Sequence, residues 1–167
     1  MSGAAPPVER WPTVVVGEVS DEGEVAEVRR LILSHADARA TTPGVDHMRA
    51  DALSLPGRFA APRGGIWLAT ADGAGIGCVA LRPLSDEAAE VKRMFVDAAW
   101  RGRGVGRALM ETLLAGARAR GYLTLRLGTL ADMTAAQSLY HSLGFTPIER
   151  YRPDELVDTL FYELPLR

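Results

Sequence analysis

The chain has 167 residues and a formal net charge of −2, which suits one globular domain that needs no disulfide or metal ion for stability. The slightly acidic composition argues against broad nucleic-acid binding, because that activity requires a basic surface. No apolar run is long enough to span a membrane, no signal peptide is visible and the single cysteine, Cys78, cannot form an internal disulfide, so we expect a cytoplasmic protein.

The N-terminal part of the chain contains one strand and one clear helix. Asp21, with Glu24 three residues later, is typical of a helix start. Residues 36–65 have weak periodicity and several prolines and glycines, so we predict a long connection with one short helix near residues 46–53. The other predicted parts, in chain order, are a flexible arm over residues 1–10, a strand over 13–16 and a helix over 21–34, with residues 11–167 forming a single domain.

The second half of the chain alternates strands and helices. Two strand-like runs flank Asp72 and Gly73, a pair that favours a tight hairpin turn, and Gly121 and Gly144 stand where the two helices should end. The predicted elements are strands over residues 66–70, 76–81 and 90–96, a helix over 104–120, a strand over 122–127, a helix over 134–143, and strands over 145–148 and 160–164. This order predicts an α/β fold with a mixed sheet.

A segment rich in glycine and arginine joins the strand over residues 90–96 to the next helix. The first turn of a helix has backbone N–H groups without partners and carries partial positive charge, so it binds anions. The sequence has neither the Gly-Lys-Ser/Thr ending of a nucleotide hydrolase loop nor the dinucleotide fingerprint G-x-G-x-x-G. We therefore predict a diphosphate site on this segment, called the glycine loop, which consists of Arg101, Gly102, Arg103, Gly104, Val105 and Gly106, with Arg107 beside it.

The spacing Arg101-x-x-Gly104-x-Gly106 resembles the coenzyme A loop of the GCN5-related N-acetyltransferase (GNAT) superfamily, whose pattern is Gln/Arg-x-x-Gly-x-Gly/Ala. Downstream, Ala136-x-x-Leu139-Tyr140-x-x-x-Gly144-Phe145 resembles the second signature of that family. The resemblance runs from about Gly77 to Phe145. It implies a mixed, mostly antiparallel central sheet with helices on both faces and splayed central strands, and it implies acetyl-CoA as the cofactor.

The same resemblance implies where the cofactor lies. The backbone of Met94, Phe95 and Val96 is expected to pair with the pantetheine arm, and the glycine loop is expected to hold the diphosphate. Many relatives carry an asparagine three residues before the alanine that matches Ala136. This chain has Met133 there, so any polar contact from that position to the cofactor is lost.

Acetyl transfer to an amine needs a base for the ammonium group and an acid for the departing thiolate. Tyr140 matches the tyrosine whose hydroxyl commonly reaches the coenzyme A sulfur in the family, and is the candidate acid, with a packing role as the alternative. Glu90 matches, in its spacing before the glycine loop, the glutamate base of the histone-modifying branch. The alternatives are an exposed glutamate paired with Lys92, and a water chain as the base. A regular strand would place Glu90, Lys92, Met94 and Val96 on one face.

The resemblance implies an N-acetyltransferase that acts on a primary amine of a small molecule, such as an amino acid, a polyamine or an antibiotic-like compound, by direct attack in a ternary complex. Two alternatives are a protein lysine or N-terminal acetyltransferase and a non-catalytic acyl-CoA-binding regulatory module. We expect no nucleic-acid or membrane partner and allow a homodimer by analogy. No metal site is expected, since His35, His47 and His141 lack ligand spacing. Asp154 and Glu155 are predicted to lie in a solvated loop that could attract a substrate amine.

Overall fold

The structure, a computed structural model, describes residues 10–167, so nearly all of the predicted arm over residues 1–10 lies outside the described part. Four α-helices accompany the sheet within these residues: α1 (Glu22–Ala38), α2 (Val45–Ser54), α3 (Val105–Ala119) and α4 (Thr134–Ser142). The strands are β1 (Val14–Glu18), β2 (Gly65–Ala71), β3 (Ala74–Pro83), β4 (Ala88–Val96), β5 (Thr124–Leu130), β6 (Thr146–Ile148) and β7 (Thr159–Pro165).

The seven strands form one sheet in the order β1-β2-β3-β4-β5-β7-β6. Every neighbouring pair is antiparallel except β4 and β5, which are parallel, so the predicted mixed and mostly antiparallel sheet is confirmed. These two central strands pair only where Ala88–Glu90 meets Thr124–Arg126. Beyond that point β4 continues to Val96 and β5 to Leu130 without pairing with each other, which confirms the predicted splay.

Helices cover both faces of the sheet, and two hydrophobic clusters fill the spaces beneath them. The strand period of two divides β2 between the clusters: Ile66 and Leu68 pack under α1 and α2, whereas Trp67 and Ala69 pack under α3. Tyr140 from α4 belongs to the cluster under α3. Within residues 10–167, no helix combines the length and the apolar character that crossing a membrane requires.

Local interactions explain most of the element boundaries. Asp21 caps α1 by accepting a hydrogen bond from the Glu24 N–H at 2.9 Å, as predicted. Asp72 and Gly73 have φ angles of 49° and 79°, so they form the tight turn between β2 and β3. The strand predicted over residues 122–127 instead begins at Thr124, because the Tyr122 N–H donates to the Ala117 carbonyl at the end of α3, at 3.2 Å.

Candidate active site

A bulge in β4 decides which of its side chains face each side of the sheet. The register between β4 and β3 shifts at Arg93, which has a left-handed φ of 55°. The extra residue reverses the alternation, so Glu90 and Lys92 lie on the side of α1 and α2, whereas Met94 and Val96 pack against the α3 cluster. The prediction that these four side chains share one face was therefore wrong, because it assumed a regular strand.

A cavity of about 500 Å³ lies where β4 separates from β5 and is called the cleft cavity below. One wall is formed by β4 from Val91 to Phe95, and the opposite wall by β5 from Leu127 to Leu130. The end of α1, helix α2 and residues 152–156 between β6 and β7 enclose the remaining sides. A cavity of this size suits a small-molecule ligand.

Tyr140 reaches the cleft cavity from α4. Its ring is buried and meets Phe145 edge-on, with 5.8 Å between ring centroids. Burial alone raises the pKa of the phenol to about 12, with no contribution from a hydrogen bond or a nearby charge of the described residues. The group therefore keeps its proton at neutral pH and has it available for donation. This geometry is compatible with the acid role, which stays a prediction.

Glu90 is almost completely buried, with 1% of its side chain exposed, and does not line the cleft cavity. Its carboxylate accepts hydrogen bonds from Arg82 at 2.9 Å, Arg152 at 3.1 Å and the Tyr151 hydroxyl at 2.6 Å. Burial opposes ionisation of Glu90, but the charge of Lys92, the bond from Tyr151 and the two arginines outweigh it and lower the pKa. A carboxylate with a lowered pKa is a weak base.

The connection between β6 and β7, residues 149–158, is held in place by charged side chains and is called the β6–β7 loop. Arg150 donates hydrogen bonds to four backbone carbonyls within this loop. Glu155 accepts from Lys92 of β4 at 2.8 Å, and Arg152 bonds to Asp154 at 2.7 Å as well as to buried Glu90. Glu155, predicted as solvated, is thus an ion-paired residue of the cavity wall, while Asp154 remains 65% exposed.

The wall of the cleft cavity beneath α1 and α2 carries a second charged cluster. Arg58 and Arg93 each donate to the same oxygen of Asp51, both at 2.7 Å. Burial opposes ionisation of Asp51, yet the two guanidinium groups lower its pKa. Arg39 also lines this wall and forms no ion pair with a carboxylate of residues 10–167. None of these four residues was predicted from the sequence to belong to the site.

His35 lies on the same wall and stacks on Phe95 of β4, with 3.9 Å between ring centroids. Burial, together with the charges of Arg39, Arg101 and Arg93, lowers the pKa of the imidazole to about 4. His35 is therefore neutral at pH 7. The described residues contain no group of three or more His, Cys, Asp or Glu side chains placed to hold a metal ion.

The glycine loop begins where β4 ends and leads into α3. Gly104 is the N-cap residue of α3 with a φ of 82°, and a Cβ built there would meet no atom within 4 Å. No side chain caps this helix end, and its first turn has no acidic residue, which leaves its N–H groups available to an anion. Gly106 has a different role, because a Cβ there would come within 2.9 Å of the Met94 side chain. Gly102 shares the positive φ and open surroundings of Gly104, and Val105 is buried.

The three arginines of this segment differ in their contacts. Arg101 donates to the backbone carbonyl of the last β4 residue at 3.2 Å. Arg103 stacks on Trp11, with its guanidinium carbon 3.3 Å from the ring centroid. Arg107, in the first turn of α3, bonds to the hydroxyl of Ser142 at the end of α4. The structure thus brings Met94, Phe95 and Tyr140 to the cleft cavity and leaves the glycine loop further along, past the end of β4.

Comparison with known proteins agrees with this geometry. The profile of the acetyltransferase (GNAT) domain matches residues 62–147, just over half of the chain. The N-acetylaspartate synthetase of Xenopus tropicalis is 35% identical over 118 residues, which cover 70% of this chain and 41% of that protein. The chain thus spans about two fifths of the length of this relative.

Two solved structures have a similar fold. A GNAT-family acetyltransferase from Staphylococcus aureus Mu50 superposes with a TM-score of 0.79 at 23% identity, covering 93% of this chain and 100% of that one. A GNAT-family acetyltransferase from Elizabethkingia anophelis with acetyl-CoA bound gives a TM-score of 0.65 at 18% identity, covering 91% and 97%. At these identities the similarity describes the fold alone.

Proposed function

Because the chain belongs to the GNAT acetyltransferase family, we propose that it transfers an acetyl group from acetyl-CoA to the primary amine of a small molecule. The observation that carries this proposal is the cleft cavity, which combines an unpaired edge of β4 with the hydroxyl of Tyr140. Its volume of about 500 Å³, between α1, α2 and the β6–β7 loop, suits a small acceptor. The name of one relative, N-acetylaspartate synthetase, also refers to an acetylated amino acid.

In this proposal the backbone of Met94, Phe95 and Val96 binds the pantetheine arm, since the edge of β4 that faces β5 has hydrogen-bonding groups without strand partners. The first-turn N–H groups of α3 bind the diphosphate, and Arg101 and Arg107 add positive charge beside them. Arg103 contributes less directly, because its guanidinium already stacks on Trp11. A backbone N–H near Phe95 is our candidate donor to the thioester oxygen.

Tyr140 acts as the acid in this proposal and protonates the departing thiolate. Its phenol is neutral at pH 7, and neither a hydrogen bond nor a nearby charge of the described residues contributes to its raised pKa. Glu90 is a poor candidate for the base, because three hydrogen bonds commit its carboxylate and its pKa is lowered. We propose instead that Glu90 fixes the β6–β7 loop and that the proton of the acceptor amine leaves through water.

The test is thiol release from acetyl-CoA across a panel of amines, comparing the wild-type protein with Tyr140→Phe. Loss of a positioned acid should slow transfer about 100-fold while the affinity for coenzyme A stays nearly unchanged. Tyr122→Phe is the matched control, because it removes a hydroxyl that donates to a backbone carbonyl outside the cleft cavity. Unchanged turnover in Tyr140→Phe would remove this residue from the mechanism. Absence of thiol release with every amine, in a protein that binds coenzyme A, would favour the non-catalytic module.

A further inference from the structure

The wall of the cleft cavity beneath α1 and α2 has more cationic than anionic groups. Arg39, Arg58 and Arg93, together called the arginine cluster, lie there with a single interior carboxylate, that of Asp51. Both ion pairs of Asp51 use the same oxygen, Oδ2, so one negative charge is shared by two guanidinium groups. Asp46 and Arg58 on this side are both exposed, so the interior of the wall carries the guanidinium groups of Arg39 and Arg93 and the one carboxylate of Asp51. The interior of this wall therefore has an excess of positive charge.

Arg39 is the member of the arginine cluster that no described carboxylate neutralises. It is half-buried at the C-terminal end of α1, and its backbone N–H caps that helix. His35 lines the same wall, and burial followed by the charges of Arg39, Arg101 and Arg93 lowers its pKa. A partly buried guanidinium without a counter-charge is well suited to bind an anion.

The opposite wall has no such excess. Lys92 pairs with Glu155 at 2.8 Å, and Arg152 is shared between Asp154 at 2.7 Å and buried Glu90 at 3.1 Å. Each cation on that wall therefore has a carboxylate of its own. The cleft cavity is electrostatically asymmetric, with a neutral side at the β6–β7 loop and a positive side at α1 and α2.

We infer that the acceptor carries a carboxylate as well as an amine, and that Arg39, with Arg93 on the same wall, binds this carboxylate. This inference rests on the proposed transfer reaction and narrows its substrate to amino acids and related amine-carboxylates. A guanidinium group binds a carboxylate through two parallel hydrogen bonds, so it orients the acceptor as well as attracting it. With the carboxylate at the arginine cluster, the amine extends toward β4 and Tyr140. A polyamine would instead place ammonium groups against guanidinium groups, which repels it.

The test uses matched acceptors: amino acids with neutral side chains, each paired with its own α-carboxamide, which has no carboxylate. Thiol release gives KM and kcat for each member of a pair, and titration calorimetry on the coenzyme A-saturated protein gives its affinity. The variant is Arg39→Gln, which leaves the backbone cap of α1 in place. The control is Arg49→Gln, which removes a surface arginine that pairs with Asp37 and does not line the cleft cavity.

In the wild-type protein we expect the amino acid to bind at least about 10-fold more tightly than its carboxamide. Arg39→Gln should raise the KM of the amino acid about 10- to 100-fold, with a smaller change in kcat, and should abolish the preference. Amine basicity cannot produce this result, because a carboxamide lowers the pKa of the neighbouring ammonium group and so increases the free amine. The preference should persist in Arg49→Gln.

Each outcome separates the subsite from the reaction. Equal use of amino acids and carboxamides, with active transfer, would refute the carboxylate subsite and leave the transferase proposal intact. Carboxylate binding that depends on Arg39, without thiol release, would support the subsite and refute the transfer reaction. If the protein showed no preference for the carboxylate and no turnover, both the subsite and the transfer reaction would be refuted.

Discussion

A carboxylate at position 104 should block the proposed diphosphate site without unfolding the protein. Gly104 has a φ of 82° and open space around the position of a Cβ, so the side chain of Gly104→Asp fits sterically. Aspartate tolerates left-handed backbone better than most residues, and as an N-cap it can accept a hydrogen bond from the first turn of α3. The strain of a non-glycine residue at this φ and the gain from an N-cap hydrogen bond largely cancel, so we expect the free energy of unfolding to change by less than about 1 kcal/mol.

Repulsion between the new carboxylate and the diphosphate sets the size of the effect. Two unit charges about 5 Å apart at an effective dielectric constant of about 20 repel each other by about 3 kcal/mol, which corresponds to roughly 150-fold in Kd. Counter-ions at physiological salt reduce this effect at an open helix end, so about 30-fold is the lower limit that we expect. The loss of affinity should be largest at low ionic strength.

Titration calorimetry with coenzyme A measures the effect directly. Gly104→Asn is the neutral control of nearly equal shape, and it should lose less than about 5-fold in affinity because it also tolerates left-handed backbone. Gly73→Asp places the same charge on another open glycine, with a φ of 79°, in the turn between β2 and β3. An unchanged Kd in Gly104→Asp would mean that the phosphates lie elsewhere. An equal loss in Gly104→Asn would show that shape rather than charge is responsible.

Three further predictions concern titratable groups. Glu90→Gln leaves Arg82 and Arg152 without their buried counter-charge, so it should lower the free energy of unfolding by about 3 kcal/mol in urea titrations. It should also raise the KM for the acceptor more than the KM for acetyl-CoA. A loss of kcat alone would restore Glu90 as the base. Burial raises the pKa of Cys78 to about 12, so a disulfide reagent should react with it only in denaturant, and rapid reaction in native buffer would contradict its position. The lowered pKa of His35 means that the unfolded chain takes up a proton first, so stability should fall as pH drops from 6.5 toward 4. The full shift amounts to about 3 kcal/mol, which solvent screening of this half-buried ring reduces to about 1–2 kcal/mol, and His35→Gln should remove that part of the pH dependence.

The sequence predicted those features whose causes are local. The cap of α1 needs only Asp21 and Glu24, and the turn of the first hairpin needs only Asp72 and Gly73. The order of strands and helices also followed, because each element has its own periodicity. The bulge at Arg93 did not follow, since a bulge depends on how β3 pairs with β4 and leaves no mark in the alternation of β4 itself.

The charged walls of the cleft cavity could not be predicted for a different reason. Arg93 meets Asp51 across 42 positions of sequence, and Arg152 meets Glu90 across 62. No local pattern marks a carboxylate for a partner that far away, and residues 36–65 and 149–158 have little periodicity of their own. Tyr140 was found because it belongs to a motif, whereas Arg39 belongs to none and became visible only when the fold put it on the cavity wall.

The separation of β4 from β5 connects the stability of the fold to its proposed activity. Glu90 is the last residue of β4 that pairs with β5, through Arg126, so the buried charge cluster lies at the point where the two strands part. Beyond that point the backbone groups of β4 that face β5 lack strand partners among the described residues, which is unfavourable unless water or a ligand satisfies them. The same cluster binds the β6–β7 loop through Tyr151 and Arg152. The buried carboxylate of Glu90 therefore stabilises both the point where β4 and β5 separate and the position of the β6–β7 loop. This structural role accounts for its burial among cations, where it is a poor base.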